Sequence, residues 1–70
     1  MLPLTFATVG DENIIKRVGG GPETKKHLED LGFSVGGTVT VINTIGGNII
    51  AKVKESRIAI SSEMAQKIMI

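Results

Sequence analysis

The residues with most to offer chemically surround a short glycine-rich stretch. Gly19-Gly20-Gly21 stands before a predicted helix, the setting of a phosphate-binding loop. The Gly-x-x-x-x-Gly-Lys-Ser/Thr spacing is absent, no Gly-x-Gly-x-x-Gly pattern fits, and Glu23 would repel an anion at the helix start. The stretch reads as a strand-to-helix connection. His27, the only histidine, follows Glu23 by four residues, so both lie on one helical face and could reach one divalent cation. Two such ligands do not make a selective site, and Glu29 and Asp30 add only weak surface donors, so no metal residue is assigned. Ser61-Ser62 has no general base beside it and reads as a helix cap. The carboxylates fall in turns and on helix surfaces, which predicts no catalytic pair, no cofactor and no enzyme activity. Lys16, Arg17, Lys52, Lys54 and Arg57 read as the solvated outer face of a β-rich surface. A small RNA-binding barrel is the competing reading, and it would bind with steep salt dependence.

These side chains must be positioned by short elements. Ile occurs ten times, Val six and Leu four, with nine Gly, a composition suited to strands and tight turns. Leu2 to Gly10 reads as an irregular lead-in with Leu4 and Phe6 tucked under the domain. A first strand is predicted over 13–18, although the Ile14-Ile15 pair breaks its alternation. Pro22 suits the first helical position with Gly21 as N-cap, and the helix ends near Leu31 at Gly32, a left-handed cap residue. Leu28, Leu31 and Thr24 share its inner face, and Lys25, Lys26, Glu29 and Asp30 its outer face. Ser34 to Gly37 is a turn, Thr38 to Ile45 a strand, and Gly46-Gly47-Asn48 a hairpin turn. A strand over 49–54 turns Ile49, Ala51 and Val53 inward, Glu55-Ser56 is a turn, and a strand over 57–60 follows. Ser61 caps one helical turn before a closing strand over 68–70. The pattern predicts a mainly β fold. It is a small curled barrel of about five strands, with a helix inserted between the first two and a helical turn before the last.

Length and composition narrow the function. Seventy residues make one small domain, taken as residues 1–70, with no room for a large enclosed active site. The absence of Cys excludes disulfides and thiolate chemistry and fits a reducing compartment. Eight Lys plus Arg against seven Asp plus Glu leave +1, too balanced for a dedicated nucleic-acid binder. Having no Trp or Tyr and only two Phe argues against aromatic peptide grooves and base-stacking platforms. No apolar run of membrane-spanning length and no signal-like start are present, so a cytoplasmic location is expected. The apolar surplus is the stronger signal. Ile14 or Ile15, Ile42, Ile50 and Met69 exceed what a small core accommodates, and Met64 and Ile68 add a stripe, which fits either protein contact or weak self-association, or extra Ile residues that cover the barrel's ends.

Several of these segments together resemble a known family. Gly19-Gly20-Gly21 followed by Leu28-Glu29-Asp30-Leu31-Gly32-Phe33-Ser34-Val35-Gly36 is similar to the signature of ferrous iron transport protein A, the FeoA family. That signature is a Gly-rich connector, then Leu, two variable residues, Met or Leu, Gly, an apolar residue, a variable one, Pro and Gly. Thr38 to Val41, the Gly46-Gly47 hairpin, Arg57 to Ile60 and the turn around Glu63 and Ala65 continue it over nearly the whole chain. Val35 stands where the family usually has Pro, and Leu31 where Met is frequent.

The resemblance implies an SH3-like β-barrel in the bacterial cytoplasm. It implies a non-enzymatic accessory role in ferrous iron uptake, acting on the FeoB-type membrane transporter with its GTP-binding domain. It does not imply metal binding. The surface expected to meet that partner is the inserted helix and its flank: Lys25, Lys26, His27 and Glu29, with Leu31 and Phe33 supporting and Met64 bordering. The alternative is a free-standing metal-responsive regulatory domain, like the C-terminal domain of metal-dependent repressors.

Overall fold

A computed structural model describes all residues, 1–70. A single 3-10 turn (Leu4–Phe6) leads to β1 (Glu12–Ile14), β2 (Arg17–Val18), α1 (Pro22–Leu31), β3 (Thr38–Ile45), β4 (Asn48–Val53), β5 (Ser56–Ser61), α2 (Ser62–Ala65) and β6 (Ile68–Met69). The strands form two antiparallel sheets, one ordered β1-β3-β4-β5 and one pairing β2 with β6. The result is a mainly β, incompletely closed barrel.

The strand expected over 13–18 is two strands in different sheets. The change of sheet falls between Ile15 and Lys16. Ile14 is 57% exposed and Ile15 fully buried. The Ile15 N–H donates to the Gly37 carbonyl at 2.8 Å, whereas the Lys16 N–H donates to the Met69 carbonyl at 2.8 Å. Ile14 and Ile15 therefore keep the ordinary alternation of β1, one to solvent and one to the core, and the alternation breaks at Lys16-Arg17, both exposed, where the chain crosses to the second sheet. There are accordingly six short strands, and α1 follows β2.

β3 and β4 follow the period-2 pattern, with Val39, Val41, Ile49, Ala51 and Val53 all buried. The pattern slips at Ile42, the extra residue of a bulge between the Val41–Ala51 and Asn43–Ile50 pairs. Ile42, Ile50 and Met69 are half-buried, so the apolar surplus is spread and only partly covered. A two-residue Gly46-Gly47 turn joins β3 to β4. The strand expected over 49–54 ends at Val53, because Lys54 adopts a φ of 56° and begins the β4–β5 turn.

The core gathers Leu4, Ile15, Val18, Leu28 and Phe33 with the inward residues of β3, β4 and β5 and with Ala65 and Ile68. Phe6 does not join it. The 3-10 turn rotates Leu4 inward and leaves Phe6 69% exposed. The stripe expected of Met64 and Ile68 is likewise divided, with Ile68 fully buried and Met64 packed half-buried against the core.

Candidate functional site

α1 is held rigidly at both ends and through its middle. At the start, Gly21 has extended backbone and its carbonyl accepts from the Lys25 N–H at 2.9 Å, with Pro22 in the first turn. Pro is suited to that position because its fixed φ is helical and the first N–H groups have no intrahelical partner. Gly19 is tied across to α2–β6 by its N–H to the Lys67 carbonyl, and the Lys67 stem and Thr24 both lie against Gly20. At the end, Gly32 takes φ 111° and its N–H donates to the Glu29 and Leu28 carbonyls. The Phe33 N–H donates to Leu28, completing a Schellman cap. Leu28 is the one fully buried residue of the helix and fixes its inner face to the core.

That anchoring decides what faces out. Lys25, Lys26, His27 and Glu29 are all exposed and are brought together on one short helix, and Leu31 is half-buried at its end. Glu29 lies one turn beyond Lys25 and Asp30 one turn beyond Lys26, so charges of both signs interleave. Phe33, expected to support this face, is completely buried and serves it only through the core. Met64 sits on α2, which packs against β4, β5 and the 3-10 turn. Lys67, which the sequence did not single out, is the C-terminal residue that reaches the helix start. The signal for it was Gly20, whose missing side chain leaves room for a long aliphatic stem.

Glu23 and His27 are both exposed on this helix. No group of three or more His, Cys, Asp or Glu side chains converges anywhere in the structure. Every buried side chain is apolar. The arrangement can present a rigid mixed-charge helix with an apolar flank to another surface.

Comparison with known proteins agrees with this architecture. The chain matches the model of the FeoA domain over residues 2–70. It is 37% identical over 70 residues to a protein of Methanocaldococcus jannaschii named provisionally as Fe(2+) transport protein A, covering the whole of this chain and 85% of that one. The crystal structure of an iron uptake regulatory protein, FeoA, superposes with a TM-score of 0.86 at 30% identity, covering 96% of this chain and 89% of that one. A Stenotrophomonas maltophilia FeoA solved with zinc and described as a prokaryotic SH3-domain protein shares the fold. Its TM-score is 0.85 at 17% identity, over 99% of this chain and 88% of that one. No helix in the structure is long and apolar enough to cross a membrane. With a family match over almost its full length, an SH3-like architecture and a relative above 30% identity, this chain belongs to the FeoA domain family of iron-transport accessory proteins.

Proposed function

We propose that this protein is a non-enzymatic, cytoplasmic accessory factor of ferrous iron uptake that binds the FeoB-type membrane transporter and modulates its assembly or GTPase cycle. Family membership supports the pathway. The observation that carries the contact is the anchoring of α1, which holds Lys25, Lys26, His27 and Glu29 in fixed outward positions above the buried Leu28 and Phe33. A face supported by a rigid element loses little conformational entropy on docking, which favours recognition. Half-buried Leu31 supplies the apolar edge of a contact whose rim is charged.

The test is an amide NMR titration of the labelled protein with the soluble GTP-binding domain of a ferrous iron transporter. Shifts should cluster on residues 22–36, and Lys25→Glu with Lys26→Glu should weaken binding about tenfold or more, as expected for rim charges that set association. The thermal unfolding midpoint should not move. Unchanged affinity in that double variant, or no shifts at several hundred micromolar, overturns this assignment of the surface.

A further inference from the structure

The outer edge of β5 is open. β5 ends the strand order β1-β3-β4-β5 and pairs only with β4. The bond from the Ser62 N–H to the Gly47 carbonyl, at 2.9 Å, fixes the parity of that ladder. Its hydrogen-bonded pairs run through Ile60, Ile58 and Ser56, so the N–H and C=O groups of Arg57 and Ala59 point away from β4. Neither residue makes a hydrogen bond beyond the ladder. Free groups at every second residue are the pattern to which a further strand adds.

The charges beside this edge are unusual. Lys52 and Arg57 stand directly opposite each other at a non-hydrogen-bonded position, where side chains approach most closely, and both are exposed. Like charges so placed repel. The other cross-strand neighbour of Lys52 is Thr40, and Glu12 lies one strand further, roughly 10 Å away at the usual strand spacing. Lys54 adds a third cation at the turn, where Glu55 is the hairpin's one acid. A single charge on β5 is enough to discourage indiscriminate pairing. Lys52, one strand inside, adds nothing to that and costs repulsion. Next along the same face, half-buried Ile50 lies opposite the small, exposed Ala59, leaving a shallow apolar step beside the cations.

We propose that the β5 edge receives an extended, acidic segment of a partner protein as an added strand. A carboxylate lies opposite Arg57, and an apolar side chain two positions away lies opposite Ala59 and Ile50. The main-chain ladder supplies adhesion, and the Lys52–Arg57 pair selects for acid. A second copy of β5 does not meet this requirement. The segment Ser56–Ser61 contains no carboxylate, and the copy brings another pair of cations. This surface is separate from α1 and does not depend on the transporter assignment.

The probe is the peptide acetyl-Thr-Val-Thr-Glu-Thr-Thr-amide, whose antiparallel pairing sets Glu opposite Arg57 and Val opposite Ala59, titrated to millimolar concentration into the labelled full chain. Amide shifts should centre on residues 56–61, and exchange of the Arg57 and Ala59 amide protons with solvent should slow. The same peptide with Lys in place of Glu should bind at least tenfold more weakly. Lys52→Gln with Arg57→Gln, two exposed substitutions that leave the core untouched, should cost the Glu peptide a similar factor and abolish its preference. Shifts outside β4 and β5, equal binding of the two peptides, or no shifts at millimolar peptide overturn the proposal. So does a concentration-dependent dimer in sedimentation equilibrium whose formation protects the same amides, because the edge is then already taken by a second copy.

Discussion

The main-chain N–H of Phe33 donates to the carbonyl of Leu28 at 2.9 Å, and the side chains of both residues are completely buried. One bond thus closes the helix and delivers two large side chains to the same core. In a Schellman cap the residue beyond the glycine characteristically packs against the last helical turn. Here that contact fastens α1 to the barrel, so the exposed helix face and the core are built from one motif.

Phe33→Ala should therefore lower stability by about 3–5 kcal/mol, the usual cost of removing a buried aromatic ring. A domain of this size has little stability to spare, so much of the chain should be unfolded at room temperature. His27→Ala, on the exposed face, should stay within about 0.5 kcal/mol of the parent. Urea unfolding followed by circular dichroism separates the two. A near-neutral Phe33→Ala would show that α1 is not held through the core.

Gly32 combines a left-handed φ of 111° with a close approach to β4: a Cβ there would stand 3.1 Å from Cγ1 of Val53. Gly32→Ala should cost about 2–3 kcal/mol, about 1–2 for the backbone conformation and the rest for displacing Val53. Combining it with Val53→Ala removes the obstruction. A double-mutant cycle should then show the pair less destabilising than the sum of its parts.

Val35 occupies the second position of the Ser34–Gly37 turn, closed by the Gly37 N–H to the Ser34 carbonyl at 3.0 Å, with Gly36 next at φ 89°. That is type II geometry, which favours Pro at the position of Val35. The Val35 side chain is exposed and its N–H donates no main-chain bond, so Pro forfeits nothing in the folded state. Val35→Pro should add about 0.4–1 kcal/mol by narrowing the unfolded ensemble. The unfolding midpoint should rise by a few degrees in calorimetry.

Lys54 is the one non-glycine residue with positive φ, at 56°. Lys54→Gly should stabilise the fold by about 1 kcal/mol, the usual penalty of that conformation for an L side chain. The unfolding midpoint in urea reads it directly, and a decrease would mean that the lysine side chain compensates locally.

How much of this was legible in the sequence depends on where each determinant lies. The helix bounds were readable because Pro22 and Gly32 carry their own conformational signals, and β3 and β4 because alternation is local. The exposure of Lys25, Lys26, His27 and Glu29 follows from helical periodicity around Leu28. The burial of Phe33 does not, because it lies beyond the helix and the cap sets its direction. The division of the first strand was hidden for a different reason. Lys16 and Arg17 look like ordinary surface positions of one strand, and only the pairing of Arg17 and Val18 with residues from the end of the chain reveals the second sheet. The exposure of Phe6 and the positive φ of Lys54 are not what their residue types favour, which makes them products of the assembled fold.

Leu2 and Ile70 exchange both main-chain bonds, Leu2 N–H to Ile70 C=O at 3.0 Å and Ile70 N–H to Leu2 C=O at 2.8 Å. The polypeptide enters and leaves this unit through one doorway. A module of that kind can be spliced into a longer polypeptide, or joined end to end and reopened at the Gly46-Gly47 hairpin, without pulling its sheets apart.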